Sequence, residues 1–156
     1  MMRRVGFTLL EFLVCCSLLV VISGFALPFA GSWMQKNQLD RLSAQIIQVI
    51  NYSKAQALLS GTPLLVIPLS GGSNWDAGVQ LVYDADQHTV IYEWSWYFAG
   101  IHLAWHGFQS NYYLRFDQQA RNQALNGYFS IQSGVHVLEK IIINRLGDVR
   151  MEIKGE

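Results

Sequence analysis

Cysteine is almost missing from this chain, and the two residues present, Cys15 and Cys16, are adjacent. Neighbours on a helix point ~100° apart, so these two do not readily pair with each other. Beyond Cys16 there is none, so the remainder cannot rest on a disulfide framework. Charge is also scarce, at 14% of residues. From residue 29 onward nine Lys and Arg face ten Asp and Glu, with no acidic or basic tail, so bulk electrostatics names no partner. A chain with 51% apolar residues and so little charge is not a disordered one. Catalytic patterns are lacking too. No serine sits in a nucleophile elbow, and Ser70-Gly71-Gly72-Ser73 lacks the lysine and following helix of a phosphate loop. His88, His102, His106 and His136 are dispersed. His102 and His106 are four apart but in a strand-like stretch, where that spacing does not converge on one metal. Asp76, Asp84 and Asp86 have no glycine-centred loop or terminal bidentate glutamate, and read as solvated turns rather than a Ca²⁺ site. The expectation is a protein that is no enzyme and has no metal, cofactor or small-molecule substrate.

What is abundant is apolar sequence at the start. After Arg3 and Arg4, residues 7–27 are apolar except for Thr8, Glu11, Ser17 and Ser23. These 21 residues (7 to 27 inclusive), at ~1.5 Å rise each, suit a helix across a ~30 Å hydrocarbon core. A secretory signal would have a shorter run and a small-residue cleavage site after it. Here the small residue near the basic head is Gly6, ahead of the run. A plain anchor explains the length and the positive head, but leaves Glu11 without a reason: a carboxylate there costs ~2.5–3.5 kcal/mol on insertion scales.

The string Gly6-Phe7-Thr8-Leu9-Leu10-Glu11 resembles the class III signal of type IV prepilins and type II secretion pseudopilins. The resemblance implies that a membrane prepilin peptidase cuts after Gly6 and that Phe7 becomes the N-methylated N-terminus. It further implies that Glu11 is the glutamate used in assembly and Pro28 the family's helix-breaking proline.

Gly24, Pro28 and Gly31 interrupt the helical pattern, so a kink or local melting is expected near Pro28. The pattern resumes with Leu39, Leu42, Ile46, Val49 and Ile50 at three- and four-residue steps, and Ala55, Ala57, Leu58 and Leu59 continue it. An amphipathic helix over residues 33–59 follows, ended by Gly61 and Pro63. The rest reads as strands: residues 63–69, 78–84, 88–96, 101–105, 112–116, 127–132, 135–144 and 148–153, the last two forming a hairpin around Arg145-Leu146-Gly147. The fold class expected is α+β, a long N-terminal helix packed through its second half on an antiparallel β head. Together with the prepilin resemblance this implies four segments: a leader (1–6), a membrane and filament-core helix (7–27), an amphipathic stem (28–61) and a β-rich periplasmic head (62–156). Trp94, Trp96, Tyr97, Phe98, Trp105 and Phe108 form an aromatic cluster readable as core packing or as a contact surface.

Residues 74–84, N-W-D-A-G-V-Q-L-V-Y-D, resemble the W-x-x-G-W-x-V-F-x-D stretch of the GspH/FimT family of minor pilins and pseudopilins. Residues 52–61 and 141–150 resemble that family's helix segment and its C-terminal hairpin. Val79 stands where the family has a second tryptophan, and Asp148 where its G-R-x-R segment has a first arginine. The resemblance implies a minor pilin-like subunit of a type IV pilus, near the filament tip. Its alternatives are an H-type minor pseudopilin of type II secretion and a DNA-binding minor pilin for natural transformation. Partners would be other pilins or pseudopilins in a helical filament, the prepilin peptidase and the bacterial inner membrane. Weak DNA contact would fall to Arg145, Arg150 and Lys154. Asp148, Arg150, Glu152 and Lys154 share a strand face, however, and their charges cancel, which disfavours DNA.

Overall fold

The structure, a computed structural model, describes residues 9–119, 123–134 and 136–153; for residues 22–33, 35 and 153 it describes the backbone alone. The chain divides into two compact units, Met1–Gln38 and Leu39–Glu156. One helix, α1 (Leu9–Ser60), begins in the first and ends in the second.

Within the first unit α1 is continuous through Gly24, Pro28 and Gly31, which corrects the expected melting at Pro28. A proline removes its own N–H bond at a cost of ~3 kcal/mol. One lost bond does not end α1, whose ladder continues on both sides.

Among the described residues the second unit contains the end of α1 and eight strands: β1 (Leu64–Pro68), β2 (Gly78–Tyr83), β3 (Val90–Ser95), β4 (His102–Gly107), β5 (Leu114–Phe116), β6 (Gly127–Ser133), β7 (His136–Ile143) and β8 (Val149–Ile153). They form two four-stranded sheets, ordered β3-β2-β1-β5 and β4-β6-β7-β8. Every pairing in both is antiparallel. The apolar stripe of α1 is covered as its spacing requires: Leu42, Ile46, Val49, Ile50 and Ala57 are buried and Leu39 half-buried. They share a core with Leu64, Val66, Trp75, Val79 and Leu81 from the first-sheet side, and with Leu103, Trp105, Phe129, Ile131, Ile141 and Ile143 from the second. Leu58 and Leu59 lie on the other side of the helix and are exposed. Gly61, at φ +70°, follows the last turn, and its N–H bonds the Ala57 carbonyl at 3.2 Å.

Local chemistry sets the strand limits. β3 starts at Val90 rather than at residue 88 because Asp86 holds the preceding turn. Its carboxylate accepts from the Thr89 hydroxyl at 2.5 Å and from the His88 N–H at 3.1 Å, and these two bonds hold it below the usual carboxylate range. Gly78, at φ +126°, lies against Trp94; a Cβ there would strike the Trp94 carbonyl oxygen and come within 2.8 Å of Leu69. Gly107 and Gly127 face each other across β4 and β6, and a Cβ on Gly127 would lie 2.7 Å from the Trp105 ring. This bare pair admits the Trp105 indole, which donates to the Ser110 carbonyl at 2.8 Å.

Candidate assembly surfaces

In the first unit, side chains of the apolar run are described over residues 9–21. Leu9 is 80% exposed and Val20 72%, and Leu10, Phe12, Leu13, Val14, Leu18, Leu19 and Val21 are also exposed. Glu11 lies among them on the surface. The Ser17 hydroxyl donates back to the Val14 carbonyl at 2.8 Å, so it is satisfied by its own helix. A continuous apolar surface of this kind calls for a non-aqueous or protein neighbour. Among the described residues no helix is long and apolar enough to cross a membrane. Gly6 and Phe7 lie outside the described residues, and at Pro28 the backbone alone is described.

In the second unit the aromatic cluster divides. Trp96 and Trp105 are buried, and Trp94 and Phe98 pack against the core from its margin. Tyr97 and Phe108, at 88% and 86% exposed, project outward. Trp75, fully buried, donates its indole N–H to the Asn111 carbonyl at 3.2 Å and meets Phe129 edge-on at 5.4 Å. Its own carbonyl receives the Trp96 indole at 3.2 Å. Val79, the residue compared above with a second tryptophan, is a core residue of β2.

The three aspartates do not converge. Asp76 bonds the Leu103 N–H at 2.6 Å and His102 at 2.9 Å, tying the β1–β2 connection to β4. Asp84 pairs with Arg115 at 3.0 Å, while Asp86 caps its own turn. The histidines separate likewise: His106 meets the Ser130 hydroxyl at 3.0 Å and stacks on Tyr128 at 4.7 Å. Among the described residues no group of three or more His, Cys, Asp or Glu is placed to hold a metal.

The β7–β8 turn is organised by Asn144. Its Oδ1 accepts from the Leu146 and Asp148 N–H groups at 2.8 and 2.9 Å, and its Nδ2 donates to Asp148 Oδ2 at 3.0 Å. Asp148 also lies 3.8 Å from Lys54, an exposed pairing that contributes little. Thus the aspartate in the arginine's place serves the turn. Arg145 belongs to this turn, Arg150 is exposed on β8, and Lys154 lies outside the described residues.

One polar contact was not anticipated. Glu139 lies on the inward row of β7 with Ile141 and Ile143 and is 6% exposed. The Ser43 hydroxyl of α1 donates to it at 3.0 Å. Burial pushes its carboxyl up; the Ser43 bond opposes this and the Asp40 charge adds to it. A period-two count back from the apolar Ile143 and Ile141 lands on 139, so the sequence carried the signal. A carboxyl raised in the folded state contributes stability below its ordinary pKa, lost as pH climbs through the raised value. Glu139→Gln keeps an acceptor for Ser43 without the charge. It should therefore be more stable than the parent at pH 7 in a urea melt, with the gap closing below about pH 4.

The second unit's arrangement of one helix against two antiparallel sheets, continuous with a bare apolar helix segment, defines a pilin-like fold. Solved structures agree. The chain is similar to the type IV minor pilin FimU of Pseudomonas aeruginosa strain PAO1 in two crystal forms. In one the TM-score is 0.61 at 11% identity, covering 79% of this chain and 92% of that one. In the other it is 0.58 at 10% identity, covering 72% and 91%. At such identities the likeness is one of fold. No protein-family model matches the chain. No curated protein matches it either.

Proposed function

We propose that this chain is a minor pilin-like subunit of the GspH/FimT type, acting by assembly rather than catalysis. The observation that carries the reading is the exposed apolar surface of residues 9–21 with Glu11 in it, on a chain whose fold is similar to a type IV minor pilin. In this reading the precursor sits in the inner membrane with its head in the periplasm. Prepilin peptidase cuts after Gly6 and Phe7 is methylated. The apolar helix then leaves lipid for a helical bundle of other pilins near the filament tip, exchanging one apolar environment for another. Replacing Gly6 with leucine should leave the precursor uncut and membrane-held, because the peptidase site takes a small residue there. Processing of Gly6→Leu at the parent's rate, read by mass spectrometry, would overturn the cleavage assignment.

DNA is a disfavoured partner. Asp148 withholds a phosphate contact, and Glu152 lies beside Arg150 on the same strand face. The protein should bind duplex DNA weakly or not at all in ~0.15 M salt, where nonspecific dissociation constants typically lie at ~10⁻⁴–10⁻⁶ M. Asp148→Arg should strengthen binding and steepen its salt dependence, while loosening the turn that Asp148 bridges to Asn144. A shift by the parent protein at low-micromolar concentration in that salt would move DNA reception to first place.

A further inference from the structure

β8 is the last strand of the second sheet, and among the described residues its outer edge pairs with nothing. Natural edges carry a proline, a bulge or a charge that discourages pairing. β8, Val149-Arg150-Met151-Glu152-Ile153, has no proline and keeps an unbroken register with β7. It does carry two charges, of opposite sign, two residues apart. Among the described residues neither Arg150 nor Glu152 makes an ion pair, although Lys140 lies opposite Glu152 across the ladder. Lys140 instead lies over the Tyr128 ring, 5.3 Å from its centroid.

These five residues are self-complementary. In an antiparallel pair centred on Met151, position 150 falls opposite 152 of the other strand, 151 opposite 151, and 149 opposite 153. Each arginine then meets a glutamate, and the apolar positions meet one another. A parallel pair in register would set arginine against arginine. We infer that β8 is a homotypic docking edge that takes the β8 edge of a second copy of this chain, joining two four-stranded sheets into one. The charges that would otherwise guard the edge here select its partner and its direction. Met151, 53% exposed, lies at the two-fold centre. One strand pair buries less than a stable interface needs, so the contact is weak and suited to chains already concentrated on one surface.

The test is cysteine cross-linking of the full chain in membranes, with Cys15 and Cys16 replaced by serine. Directly opposed antiparallel residues have Cα atoms ~4.5–5.5 Å apart, within disulfide reach. Met151→Cys should give a disulfide dimer on mild oxidation, at least fivefold above Tyr97→Cys, a position more exposed than Met151 and away from β8. Adding Arg150→Glu or Glu152→Arg should reduce the dimer severalfold, and the double exchange should restore it. Equal dimer at positions 97 and 151, or insensitivity to the single charge reversals, would overturn the inference. So would failure of the exchange to restore the dimer where the total signal of the chain in those membranes shows normal protein levels.

Discussion

Ile46→Asp should abolish the cooperative unfolding transition of the second unit. Ile46 is 2% exposed, in the middle of the α1 stripe, and shares the core with residues of both sheets. Losing the aliphatic side chain alone costs ~2–5 kcal/mol. The aspartate adds a buried charge without a partner, worth several kcal/mol more. A domain of this size has only ~5–15 kcal/mol of stability to lose. A fragment of residues 33–156 is the place to measure this, because it omits the exposed apolar run. The parent fragment should remain monomeric and melt cooperatively with mixed helix and strand circular dichroism. The Ile46→Asp fragment should show no cooperative melt. Asp40→Ala, on the exposed side of the same helix, should change the midpoint little. A cooperative melt in Ile46→Asp within ~1 kcal/mol of the parent would remove the helix from the core.

Glu11 carries the second large effect. Its carboxylate lies among exposed leucines, where lipid would surround it. A charge in that setting marks a functional position. The proposed partner is the N-terminal ammonium of Phe7 on a neighbouring subunit, met on entry to the filament. A competing pairing is with its own N-terminus one helical turn away. In the first case Glu11→Ala and Glu11→Gln are inserted and processed normally, yet their share of the sheared filament fraction falls at least tenfold. In the second case both variants enter filaments as the parent does.

The sequence made the elements legible because their periods are clean. The three- and four-residue steps from Leu39 to Ile50 give the buried face of α1, and each expected strand run overlaps an observed strand. Boundaries shifted where side chains captured backbone groups, as Asp86 does before β3. The division into two sheets was not legible. Nothing local in Leu114–Phe116 says that it joins β1 while the following strands form a separate sheet. The aromatic cluster was undecided because Trp96 and Tyr97 are neighbours in sequence and opposites in burial. The proposed processing and assembly residues rest on a sequence motif, Gly6 to Glu11, whereas the roles of Asp148 and Glu139 needed contacts made across the turn and across the core.

The most direct measurement is the N-terminal peptide of this chain recovered from sheared surface filaments of the cells that make it. For a processed, assembled pilin-like subunit, mass spectrometry should find a peptide beginning at N-methylated Phe7 in that fraction, together with other pilins. A chain that keeps Met1-Met2-Arg3-Arg4-Val5-Gly6 and stays entirely in the membrane fraction, in cells whose other pilins do reach the filament, would contradict it.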